Sequence, residues 1–385
     1  MSRTSKAFYL GLASLSIFEV LHVYFIMPMP GSQAIDGLGV AYFLHTYRWI
    51  FRIASVLAIV AATRGIIRSG RKWLPATAVL ATLAVVWVFN FEMTAERMFR
   101  QPEKLSLKAR GENVVGEDSI VIGIERNGEA RAYPIRFLVY HHQVQDSVGG
   151  RPVIVTYCSV CRTGRVYEPV VNGKLEKFRL VGMDHFNAMF EDASTHSWWR
   201  QATGEAAIGP LKGAALPEID ARQLSLREWF KLHPFSLVMQ PDDASKAGYD
   251  KKGKFERGES TGPLTRTDSA SWKEKSWVVG IQIGSVSKAY DWNRLKEQRV
   301  INDRVGNVPI VLVLAADRSS FAAFERPDAG VIFKFNGDVL LANGQSFDFS
   351  GRDLADSNRH LNAVNAHQEF WHSWREFHPG TLRDI

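Results

Sequence analysis

Cysteine is nearly absent from this chain, with two residues in 385. That excludes a small scaffold stapled by disulfides. No phosphate-binding loop, Ser-His-Asp order or zinc-protease helix occurs in it. The net charge of +7 comes from scattered basic residues, and no nucleic-acid motif accompanies it, so nucleic acid is not an expected partner. Charge is missing altogether between Trp73 and Phe91. Apolar content is ordinary for a folded chain, which excludes general disorder. The length exceeds one compact core and implies two or three units.

Three apolar stretches fall in the first hundred residues. Ala7 to Met27 is interrupted only by Glu19 and His22, Trp49 to Ile67 carries Arg52 and Arg64 near its ends, and Trp73 to Phe91 is uncharged. Each approaches the roughly 20 residues that cross a hydrocarbon layer as a helix. Residues 1–98 therefore read as a membrane domain with helices at about 7–27, 49–67 and 73–91. Arg52 is expected to snorkel to the interface. No small-residue cleavage site follows the first stretch, and Pro28-Met29-Pro30 comes directly after it, so it is not expected to be a cleaved signal.

Arg3 and Lys6 precede the first helix, and Arg64, Arg68, Arg71 and Lys72 crowd the loop between the second and third. The intervening loop has Arg48 against Asp36. Positive residues stay inside, so the amino terminus is expected in the cytoplasm. The chain then reads as a multi-pass protein of the inner (cytoplasmic) membrane. Its carboxy-terminal domain is expected in the periplasm or outside the cell, where disulfides are permitted. The expected partners are the lipid bilayer and an unknown extracytoplasmic substrate or protein. Glu19 and His22 lie three apart on one helix face. They are either a functional intramembrane pair or simply partners of one another.

From Val121 the chain reads as short strands and turns. Asn127-Gly128 signals a hairpin, Arg136 to Gln145 has helical spacing, Gly149-Gly150 breaks it, and Pro152 to Tyr157 suits a buried strand. The pattern returns 157 residues later without a gap: Val121, Gly123 and Ile124 match Val278, Gly280 and Ile281. Asp146, Gly149 and Pro152 likewise match Asp303, Gly306 and Pro309. Trp229 and His233-Pro234 are echoed by Trp374 and His378-Pro379. The expected fold is α+β: three transmembrane helices followed by a β-rich tandem. Its parts are a first repeat at 115–241, a polar linker at 242–275 and a degenerate second repeat at 276–385. Glycines and apolar positions persist between the copies, but Cys158 becomes Ala315, Cys161 becomes Arg318 and His141 becomes Gln298. The first copy is thus the candidate for chemistry.

The two cysteines stand as Cys158-Ser159-Val160-Cys161. Random placement gives this spacing roughly once in two hundred cases, so the pair reads as one unit. Three uses stay open. Two thiolates so spaced can share a metal ion, with His141 as third ligand and Met183 or His185 completing the sphere. Cys, His and Met together favour copper over zinc. The same pair can serve as a redox dithiol, with Cys158 attacking. It can also be a structural disulfide or an inert thiol pair. Asp192, Thr195, Trp199 and Gln201 form a second dense cluster, read either as core packing or as the wall of a pocket. The metal-binding role is the leading expectation, as a possible redox metalloenzyme. The alternatives are a thiol-disulfide oxidoreductase and a non-catalytic interaction module.

The ordered motifs Ala132-Tyr133-Pro134, His141 before Asp146, Gly149-Gly150-x-Pro152-Val153, and Tyr157-Cys158-x-x-Cys161 resemble the domain of unknown function 3179 family. So do Asp192-x-Ser194-Thr195-x-Ser197-x-Trp199-x-Gln201-x-x-Gly204 and Gly209-Pro210-Leu211. The resemblance spans about residues 115 to 385 and includes the degenerate copy. It implies no assigned reaction. Family members commonly have Cys-Pro-Leu-Cys where this chain has Cys-Ser-Val-Cys, and often His-Glu where it has His141-His142.

Overall fold

The computed structural model describes residues 3–67, 72–250 and 252–384. Arg68 and Arg71 of the basic loop lie outside the described residues. Contacts divide the chain into two compact units. One contains Met1–Arg100, Phe178–Arg200 and Glu205–Ala214, and the other contains Gln101–Lys177, Gln201–Gly204 and Ala215–Ile385. Part of the stretch expected as the first repeat therefore groups with the first hundred residues.

The first unit begins with α1 (Arg3–Tyr24), α2 (Leu38–Thr46), α3 (Arg48–Ile67) and α4 (Trp73–Trp87). Helical segments Arg3–Tyr24, Arg48–Ile67 and Trp73–Glu92 are long and apolar enough to cross a membrane. Their surfaces carry exposed Leu10, Ile53, Leu57, Leu80 and Leu83, as expected of side chains facing lipid. Arg52 has its partners on neighbouring helices. Its Nε donates to Glu19 Oε1 at 2.7 Å, and Nη2 reaches Glu19 Oε2 at 2.8 Å and Asn90 Oδ1 at 2.6 Å. Glu19 thus pairs with Arg52 across α1 and α3 instead of with His22.

After a short strand at Leu107–Lys108, the second unit continues with β1 (Ile120–Arg126), β2 (Glu129–Pro134), α5 (Ile135–His141), β3 (Gln143–Val148), β4 (Arg151–Cys158) and β5 (Thr163–Tyr167). The helix expected to reach Gln145 ends at His141. His142 takes a left-handed conformation, with φ 64°, and its N–H bonds back to Leu138. Gln143 onward then pairs with β4. The strands β6 (Phe178–Asp184), β7 (Asn187–Asp192), β8 (Trp198–Arg200) and β9 (Ala206–Ile208) form an antiparallel sheet in the first unit. The chain resumes the second unit with β10 (Arg222–Ser225), α6 (Leu226–Leu232) and β11 (Leu237–Met239).

The same order of elements follows again. It runs β12 (Trp277–Ile283), β13 (Val286–Asp291), α7 (Trp292–Gln298), β14 (Val300–Val305), β15 (Val308–Leu314) and β16 (Phe321–Glu325). It closes with β17 (Ala366–Phe370), α8 (Trp371–Phe377) and β18 (Leu382–Arg383). Neighbouring strands in one sheet run β10-β1-β2-β11, and in the other β17-β12-β13-β18. Gly123 of β1 and Gly280 of β12 lie under the rings of Trp229 and Trp374, where a Cβ would clash. Each Trp thereby pins its helix to its sheet. Strand β5 packs against β17, and β10 against β16, so each set of elements leans on the other.

The 242–275 stretch is more than a surface loop. Tyr249 and Phe255 are buried with Phe137, Leu138 and Tyr157 in the first core.

Candidate functional site

Cys158 ends β4 and stands opposite Thr163, the first residue of β5, so Ser159 to Arg162 form a four-residue hairpin loop. The whole loop, both cysteines included, is buried. Arg162 anchors it with a left-handed backbone, φ 55°. The Arg162 guanidinium donates to Gln368 Oε1 at 3.0 Å, Phe255 O at 3.0 Å and Glu256 O at 2.9 Å. It also lies 3.6 Å from the centroid of the Trp277 ring, a cation–π contact.

The second set of elements encloses the loop. Phe370 N–H donates to Cys161 O at 2.8 Å, and Lys275 Nζ donates to Val160 O at 2.8 Å. The same ammonium donates to Leu264 O at 2.9 Å and stands 3.1 Å from His372 Nε2. Burial, then the neighbouring Lys275, push His372 down to about 3. The imidazole is therefore neutral, and its Nε2 lies between the ammonium and Val160 O, which is 3.2 Å away. Burial pushes the Lys275 ammonium below the ordinary lysine value, while Cys161 and Cys158 pull it back up, ahead of Asp268 and Glu274.

Lys275 and His372 were not visible as site residues in the sequence. Lys275 sits in a polar stretch full of lysines, and His372 has no motif around it. The one available signal was position. His372 immediately follows Trp371 at the start of α8, the helix whose Trp374 and His378 echo Trp229 and His233.

Of the other expected ligands, His141 belongs to the same unit as the cysteines. His141 is buried, and its Nε2 is 2.5 Å from Tyr249 OH. Met183 and His185 belong to the unit that lacks Cys158, Cys161 and His141. There His185 Nδ1 lies 2.8 Å from Asp184 Oδ1, and Met183 N–H donates to Ile26 O at 2.9 Å. Among the described residues, no group of three or more His, Cys, Asp or Glu side chains is placed to hold one metal ion.

The second cluster also divides. Asp192 collects the turn between β7 and β8. It accepts from the Thr195 N–H at 2.5 Å, the Thr195 hydroxyl at 2.8 Å and Trp199 Nε1 at 2.9 Å. Gln201 belongs to the other unit, where its Nε2 donates to Thr156 Oγ1 at 3.1 Å and Thr163 O at 3.0 Å. It thereby ties together the two strands that carry the cysteine loop.

Comparison with curated proteins and with solved structures finds no match. A family model described as "Protein of unknown function (DUF3179)" matches residues 101–381, so this chain belongs to the DUF3179 family.

Proposed function

We propose that the chain is a membrane-anchored thiol oxidoreductase whose reactive pair is Cys158 and Cys161. The observation that carries this reading is the Lys275 ammonium, which donates to Val160 O within the cysteine loop. A fixed cation beside a thiol favours the thiolate, which is the nucleophile. Cys158 attacks one sulfur of a substrate disulfide and expels the other as a thiol. Cys161 then displaces the first sulfur and closes the protein disulfide. Two electrons and two protons pass to the substrate, which leaves as two thiols. Because both sulfurs are buried, the hairpin loop must lift from Lys275 and Phe370 before exchange.

Full burial of both sulfurs favours a second reading, a soft metal site with copper before zinc. Two thiolates suit a cuprous ion, whereas tetrahedral zinc needs two more donors. Cys158 and Cys161 would hold the ion, and Lys275 would balance the single negative charge of such a complex. Thiol alkylation of the purified chain distinguishes the readings. Full labelling after reductant alone, from metal-replete protein, supports the dithiol. Protection that only a chelator removes supports the metal.

We also read the two sets of elements as a duplicated module, at 115–241 and 276–385, with the chemistry kept in the first copy. Matching sheet orders and the recurrence at 157 residues support this. The three apolar helices support an anchor in the inner membrane, and the basic residues beside them support a cytoplasmic amino terminus. Reporter fusions after residue 110 test the orientation, and a cytoplasmic signal there overturns it.

A further inference from the structure

A cleft of about 430 Å³ opens in the second unit where the two sets of elements face each other. Gln223 of β10 lines it from the first set, and Gln368 of β17 lines it from the second. Each set also sends an arginine to it from a hairpin loop. Arg162 comes from the cysteine loop between β4 and β5, and Arg318 from the loop between β15 and β16. Both have a left-handed backbone, with φ 55° and 57°. At the offset of 157 residues, Arg318 stands where the first loop has Cys161.

Arg162 is 2% exposed, and its hydrogen bonds go to neutral acceptors: Gln368 Oε1, Phe255 O and Glu256 O. Those three bonds leave two of the five N–H groups of a guanidinium unused. Among the described residues no carboxylate forms an ion pair with it. A buried cation without a counter-charge is costly, and a bound anion lowers that cost. The charged lining is Arg162, Arg257, Lys296 and Arg318 against Glu256 and Asp268. Arg257 is occupied by Glu259 at 2.9 Å, and Asp268 lies 3.8 Å from Arg266. The Glu256 carboxylate accepts from the Ile120 N–H. Even with Glu256 set in full against Arg162, Lys296 and Arg318 keep their charges. Among the described residues neither has an ion-pair partner. Counted over the lining alone or with these outer partners, the cleft has two positive charges in excess.

We infer that this cleft binds a small, doubly charged oxyanion, a phosphate monoester or a dicarboxylate. Arg162 supplies a desolvated guanidinium, whose planar fork suits either group. Lys296 and Arg318 are exposed and draw the anion in from the solvent side. The cleft volume suits a small molecule. This inference does not depend on the thiol chemistry.

The test is calorimetric titration of the full chain in detergent at pH 8 and low ionic strength. Inorganic phosphate is the probe in one arm and sodium succinate in the other. At least one is expected to bind, and the tighter of the two identifies the anionic group. Lys296→Gln combined with Arg318→Gln should weaken binding at least tenfold. Glu256→Gln, which removes a lining carboxylate, should tighten it at least threefold. Lys334→Gln, which removes an exposed cation of the same unit outside the cleft, should leave it unchanged. Failure of both anions to bind, retained binding in the double variant, no gain in Glu256→Gln, or equal loss in Lys334→Gln overturns the inference. The double variant alters only exposed side chains, and a gain in affinity cannot come from poor folding.

Discussion

Gln223 Nε2 donates to Gln368 Oε1 at 3.0 Å. The two residues hold matching places in β10 and β17, opposite Ile122 and Val279. They meet where the two sets of elements face each other, and Gln368 Oε1 also receives Arg162 Nε from the cysteine loop. The contact between the sets is thus wired directly to the residue after Cys161.

Lys275→Met should slow alkylation of the reduced cysteines at neutral pH by about tenfold, the effect of a one-unit rise in thiol pKa. Lys275→Arg should retain most of the rate. The measurement is alkylation rate against pH, with the whole profile expected to move to higher pH in the methionine variant. A rate unchanged in that variant removes Lys275 from the site.

What the sequence revealed and what it hid follow from the range of the interactions. The apolar runs of α1, α3 and α4 and the alternation of the strands are local patterns, so they could be read directly. The Cys-x-x-Cys pair was legible for the same reason. The Glu19–Arg52 pair stayed hidden because its two residues sit on different helices, and no single-helix pattern shows that. The helix after Pro134 was drawn too long because Val144 continues its spacing, and only the left-handed turn at His142 ends it. Lys275 and His372 approach the loop from far along the chain, and such contacts leave no periodicity to detect.

The Arg165–Glu369 ion pair is enclosed, so breaking it from one side leaves a buried charge. Glu369→Leu is expected to cost about 3–5 kcal/mol of stability. Combining it with Arg165→Ala gives alanine and leucine, as at Ala322 of β16 and Leu224 of β10, which face Val313 and Val121 as Arg165 and Glu369 face Thr156 and Val278. The double variant should therefore be more stable than the sum of the single losses predicts. Denaturant unfolding of all four proteins closes the cycle, and strict additivity would mean the two charges are not coupled.

Glu191 makes the first unit sensitive to acid. Burial alone would raise its carboxyl, but hydrogen bonds from His45, Trp198 and Arg179 hold it down to about 2. A carboxyl lowered on folding stabilises the fold fully above its unfolded value. That stabilisation fades as pH falls from about 4.5 towards 2. Trp198 Nε1 donates to Glu191 Oε2 at 2.8 Å, so tryptophan fluorescence should report the loss. Glu191→Gln should flatten the response over this range.

Gly280→Ala and Gly123→Ala place a methyl against the Trp374 and Trp229 rings. Overpacking of this kind costs about 1–3 kcal/mol. Thermal unfolding should show both variants destabilised, whereas alanine at Gly111, which has open space around it, should have little effect.

The hydrogen bond from Phe370 to Cys161 also sets a schedule. A growing chain presents both thiols long before it has made Lys275, Phe370 and His372. Until those residues arrive, the loop stands open to whatever oxidant or metal is at hand. The state in which the cysteines are first enclosed is therefore set during biosynthesis, and every later exchange has to reopen what the last hundred residues closed.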